Sequence, residues 1–145
     1  MKRTLAALSL VLAAAGLTTA CAPGSSDVED HVVTAVSGGP SVPVADLVDD
    51  ADAKRFTIVC PYELPADVAT RLGVSAKDLP DLSKRDDAQA LVAVTANGVD
   101  AAEFRRGRVD LCSSEGPWPV YEKTDTATVA VTRNEDDVYI VTRAS

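Results

Sequence analysis

The chain has 145 residues, 14 basic and 22 acidic side chains for a formal net charge of −8, and a single histidine. That acidity opposes binding to nucleic acid or to an anionic membrane surface by general electrostatics. The length leaves room for one modest domain, whose core has few large side chains because aromatic residues make up only 4% of the sequence.

Lys2 and Arg3 place positive charge at the start, and the uncharged stretch from Leu5 to Leu17 is too short to span a bilayer as a permanent helix. This is the layout of an export signal. Ala20 is a small residue of the kind a signal peptidase requires, Cys21 follows it, and Ala22-Pro23-Gly24-Ser25-Ser26 has the composition of a flexible polar tether. The segment Leu17-Thr18-Thr19-Ala20-Cys21 resembles the lipobox of bacterial lipoproteins. That family usually has Leu three positions before the cysteine, where this chain has Thr18, with Leu17 one place further out. The resemblance implies cleavage before Cys21, a diacylglyceryl group on its thiol, and acyl chains that hold the protein in the cell membrane with its body on the extracytoplasmic side. The expected organisation is a signal over 1–20, an acylated N-terminus and tether over 21–40, and one domain over 41–145. Both basic residues of the signal leave with it and no acidic ones do, so the mature side-chain balance is −10.

Cys60 and Cys112 are then the remaining cysteines, an even number in an oxidising setting with one possible pairing. Closing a loop of that length stabilises by about 4 kcal/mol in the chain-entropy model. A metal site or reactive thiol lacks partners, because no CxxC occurs and His31 lies close to the tether. The expectation is therefore a disulfide, with no metal and no cofactor.

Along the chain, acids and the β-branched run from His31 to Val36 precede the breaker Ser37-Gly38-Gly39-Pro40, predicting an edge strand or a loose segment. Val44, Leu47 and Val48 recur at helical spacing, predicting a short amphipathic helix over 44–53 with Asp49, Asp50 and Asp52 on its wet face. Phe56, Ile58 and Cys60 alternate with Thr57 and Val59 as in a strand that Pro61 stops. Pro65 suits a first helical turn, Val68 and Leu72 share a face, and Gly73 is a ready C-terminal cap, predicting a helix of about two turns. Ser75 to Gln89 is polar, broken by Pro80, and reads as a loop. Two β-prone runs between Ala90 and Arg105, joined by Asn97-Gly98, predict a hairpin with a type I′ turn. Val109 and Leu111 alternate with Asp110 and lead into Cys112. A second hairpin is expected from Thr126–Arg133 and Asp137–Arg143 around Asn134-Glu135-Asp136. The economical fold is α+β: a small antiparallel sheet built largely from two hairpins, one face covered by one or two short helices, with one disulfide.

Candidate chemistry is sparse. Cys112-Ser113-Ser114 offers nucleophiles, but His31 is the only imidazole that could serve them. The acid clusters Asp49-Asp50-Ala51-Asp52 and Asn134-Glu135-Asp136-Asp137 lack the alternating ligands, central Gly and terminal Glu of a calcium loop, and read as solvated surface. Arg105, Arg106 and Arg108 are the only basic concentration, suited either to docking an acidic partner or to pairing with neighbouring acids. Trp118, between Pro117 and Pro119 with Tyr121 nearby, is either an exposed contact anchor or a cap on the core.

The Ala/Val/Asp/Arg-rich, Lys-poor composition, with FTIVCPYELPADVATRLG at 56–73 and RVDLC at 108–112, resembles small exported lipoproteins of actinobacteria. This resemblance supports the strand, helix and disulfide reading and carries over no catalytic or binding residue. The functional expectation is a lipid-anchored envelope protein. It would act as a non-catalytic binding or accessory module, meeting a membrane complex or another envelope protein. The alternative is a small envelope enzyme or enzyme inhibitor, whose acidic charge would suit a basic target.

Overall fold

The computed structural model describes residues 25–143; the signal segment and Cys21 lie outside the described residues. The first element is a helix, α1 (Ser25–Val36), where the sequence predicted a tether followed by an edge strand or loose segment. Val28, Val32 and Val36 are four residues apart, so a helix sets all three on one face, and Val32 and Val36 are 0% and 1% exposed there. Burial of that stripe outweighs the modest helix propensity of β-branched residues. The folded unit therefore includes residues 25–40 and does not begin at 41.

After β1 (Ser41–Pro43), the helix expected over 44–53 is only a 3-10 turn at Val44–Leu47. Asp50 turns the chain out of it by accepting the Asp52 N–H at 2.7 Å on its own carboxylate. Lys123 caps the turn from outside, its ammonium donating to the carbonyls of Ala45, at 2.9 Å, and Val48.

The strand and helix read from Phe56 to Gly73 are present as β2 (Arg55–Val59) and α2 (Pro65–Leu72). Pro65 starts α2 and Gly73 ends it in the left-handed region at φ 69°, a conformation open to glycine without steric cost. The first hairpin is β3 (Ala88–Thr95) with β4 (Gly98–Arg105). Its turn is centred one residue earlier than predicted, on Ala96-Asn97, and neither has the positive φ a type I′ turn requires at both positions. The positive φ falls instead on Gly98, at 137°, where β4 begins.

Short strands follow, β5 (Val109–Asp110) and β6 (Tyr121–Glu122), and then the second hairpin, β7 (Thr128–Arg133) with β8 (Tyr139–Arg143). Its loop is held by the Asn134 side-chain oxygen, which accepts the N–H groups of Asp136 at 3.0 Å and Val138 at 2.9 Å.

The class is α+β, with antiparallel hairpins and one disulfide, but the hairpins belong to two four-stranded sheets. One sheet runs β4-β3-β2-β6 and is antiparallel throughout; the other runs β1-β7-β8-β5, with β5 parallel to β8. Paired residues in an antiparallel ladder point to the same face, so register assigns the two sides of the first sheet. Phe56, Ile58, Leu91, Ala93 and Phe104 face α1 and the second sheet, meeting Val32, Val36, Val129, Val131 and Val141. Val59, Ala88, Ala90 and Val92 face the other way, where Val68 and Leu72 of α2 and Leu82 cover them. Covered on both sides, β3 is buried from Ala88 to Ala93, whereas β7 alternates because its outer face is wet.

Candidate functional site

Cys60 directly follows β2, Cys112 follows β5, and their bond ties one sheet to the other with 5.5 Å between Cα atoms. Two polar struts support the same junction. Gln89, fully buried on β3, donates its amide to the Val109 carbonyl at 2.7 Å and accepts the Leu111 N–H at 2.9 Å, bridging to β5. Asp110 accepts both the Nε and an Nη of Arg106, at 3.0 and 2.7 Å, together with the Cys112 N–H and the Ser113 hydroxyl, each at 2.8 Å. Burial pushes the Asp110 carboxyl up, but the donors from Arg106, Cys112 and Ser113 outweigh it and leave it below its ordinary value.

The residues singled out for contact are dispersed. Trp118 is 1% exposed: its indole N–H donates to the Leu111 carbonyl at 2.6 Å, and its ring packs edge-on to Tyr121 at 6.3 Å. It fills the core and is no surface anchor. Arg106 is engaged by Asp110 and Arg108 pairs with Asp30 of α1, so two of the three arginines serve internal contacts. Arg105 remains exposed, beside a hollow it shares with Ser25, Glu29, Arg85 and Glu103.

What the sequence reading missed is the loop after Cys60. Tyr62 and Leu64 are the exposed large apolar side chains among the described residues, at 65% and 53%, and Tyr62 sits at φ 68°, a region costly for a non-glycine residue. The loop is clamped underneath. Glu63 accepts the Cys60 N–H at 2.7 Å and a forked pair of bonds from Arg71 at 2.6 and 3.1 Å, and Arg71 also donates to the Ile58 carbonyl at 3.2 Å. The Tyr62 N–H is held by the Leu82 carbonyl at 2.9 Å. Pro61 and Pro65 mark a loop in the sequence, but an i to i+8 clamp between Glu63 and Arg71 has no local signature.

A concavity of about 430 Å³ lies between α1 and the β3–β4 hairpin. Val28, Val48, Leu91, Ala93, Ala101 and Ala102 supply apolar lining, and Asp27, Asp49, Asp50 and Asp100 supply carboxylates. His31 stands at its edge, one ring nitrogen 2.8 Å from the Asp46 carbonyl and the other 3.7 Å from Asp49. Comparison with family models, curated proteins and solved structures gave no match. The site must therefore be argued from its own residues. His31, the only imidazole, is engaged by a backbone carbonyl and Asp49 rather than by Ser113, whose hydroxyl donates to Asp110 outside this lining. Among the described residues, no group of three or more His, Cys, Asp or Glu side chains is arranged to hold a metal ion.

Proposed function

We propose that the protein is a lipid-anchored binding or accessory module, without catalytic activity of its own, held on the extracytoplasmic face of the cell membrane. The observation that carries this reading is the partition of the three cysteines. Cys60 and Cys112 satisfy each other across the sheets, leaving Cys21 as the odd thiol, at the end of a signal-like segment and next to a small residue. Two or three acyl chains there, at about 0.8 kcal/mol per buried methylene, make attachment effectively permanent.

No helix among the described residues is long and apolar enough to cross a membrane, so the covalent lipid is the device this reading needs. It also limits where the domain sits. Only Ala22, Pro23 and Gly24 separate Cys21 from the start of α1, and that much extended chain spans at most about 14 Å between Cα atoms. The N-terminal end of α1 is thereby kept close to the outer leaflet. Replacing Cys21 with Ser is expected to abolish both membrane fractionation and incorporation of radiolabelled fatty acid. Labelling that survives the substitution would remove the reading.

A further inference from the structure

We infer that the groove between α1 and the β3–β4 hairpin is a docking site for a cationic polypeptide segment carrying at least one apolar side chain. For what is bound, the inference stands on the groove alone; for where the partner is met, it rests on the anchored-module reading above.

The floor comes first. Ala102 lies opposite Leu91 in the ladder, and Ala93 opposite Asp100, so this end of the sheet presents small side chains to α1 where Phe104 fills the space further along. The missing bulk leaves a concavity of about 430 Å³, at the small end of the range for ligand sites, suited to a side chain or two of a peptide and too small for a large cofactor. Its lining mixes apolar residues with carboxylates from the helix, the loop after the 3-10 turn and β4.

The charge comes second. Five of the described arginines pair with acids: Arg71 with Glu63, Arg85 with Asp87 and Glu103, Arg106 with Asp110, Arg108 with Asp30 and Arg133 with Asp137. The groove is lined differently. No Lys or Arg lines it, and Asp50 and Asp100 form no ion pair with a basic side chain among the described residues. Carboxylates around a concave, partly apolar wall sum their fields toward the opening, which attracts cations and repels phosphates and other anions. A Lys or Arg satisfies both features, laying its methylene stem along the alanines while its head reaches the rim. An adjacent apolar residue would fill the floor. Asp27, in the first turn of α1, lines the groove, so in the anchored protein its mouth lies near the outer leaflet, where such a segment of an envelope protein would be met.

The test uses the purified full chain captured through a C-terminal tag, with three blocked peptides as probes: Lys-Phe-Lys-Leu-Lys, Lys-Gly-Lys-Gly-Lys and Glu-Phe-Glu-Leu-Glu. Saturable binding of the first at physiological salt is expected, at least tenfold weaker for the second and undetectable for the third. Asp49→Asn, Asp50→Asn and Asp100→Asn combined should weaken the first peptide about tenfold, given the modest worth of each exposed ion pair. The control Asp67→Asn, Asp78→Asn and Glu135→Gln removes equal charge at exposed positions outside the groove and should leave binding within twofold. Equal weakening by both sets, equal affinity for the first two peptides, or no saturable binding would overturn the inference. The comparison among peptides needs no variant, so it stands even if a substituted chain fails to fold. Fatty-acid labelling at Cys21 is a separate readout, so failure of the anchor leaves this result untouched.

Discussion

The segments that follow the two bridged cysteines read alike and fold in opposite senses. Cys60 leads into Pro61-Tyr62-Glu63-Leu64-Pro65, and Cys112 leads, a few residues on, into Pro117-Trp118-Pro119; each places an aromatic residue beside prolines. Trp118 is swallowed by the core while Tyr62 stands in solvent. The difference lies in what each segment finds to bond with. The indole N–H has the Leu111 carbonyl as a buried acceptor, which removes the penalty of desolvating it, and Thr57 secures the same stretch by donating to the Pro119 carbonyl at 2.9 Å. The Tyr62 loop is instead pinned through its backbone and Glu63, and that pinning turns the Tyr62 side chain outward at a positive φ.

The contrast can be broken most forcefully on the buried side. Trp118→Ala should cost about 4 kcal/mol by opening a cavity and orphaning the Leu111 carbonyl, read as a shifted denaturant midpoint. On the exposed side the clamp matters more than the aromatic ring. Glu63→Gln keeps an acceptor for the Cys60 N–H but removes the charge facing Arg71, and should cost about 2 kcal/mol in the same measurement.

Asp110, at the foot of the Trp118 segment, sharpens the comparison through pH. Its carboxyl is held below its ordinary value in the folded state, so the stabilisation it supplies is complete above the unfolded carboxyl's pKa, near 4, and is lost as pH falls through the lower folded value. Asp110→Asn should therefore cost about 1.5 kcal/mol at pH 7, with the gap to the parent protein closing progressively below about pH 4. The smallest effect is expected at Tyr62. Tyr62→Gly relieves a left-handed backbone conformation but adds freedom to the unfolded chain, and should stabilise by about 0.5 kcal/mol; a loss of more than 1 kcal/mol in thermal melts would show that the ring is packed.

Local pattern makes part of this protein legible in its sequence. Alternation at Phe56, Ile58 and Cys60, Pro65 and Gly73 bracketing α2, and the runs on either side of residues 96–97 and 134–138 each express a short-range rule, and the structure contains the corresponding elements. The helix α1 was missed although Val28, Val32 and Val36 carry its period, because β-branched residues also satisfy a strand and the tether-like composition before them favoured no structure. Of the three arginines read as suited either to docking an acidic partner or to pairing with acids, Arg106 and Arg108 pair with acids, at very different separations. Only the Arg106 to Asp110 spacing is short enough to be read locally, whereas Asp30 lies 78 residues from Arg108.

By itself, the sequence determined the pieces: the elements whose period and punctuation are local, the acidity, and a cysteine count that leaves one pair and one remainder. Tertiary structure alone decided that the hairpins enter different sheets, that β5 runs parallel to β8, that Trp118 is core, and that α1 and the small-residue end of β3 and β4 leave a groove between them. The physical reason is separation along the chain. The groove draws on residues 27–31, 48–50, 91–93 and 100–102, whose chemistry becomes a site only when long-range burial has brought them together.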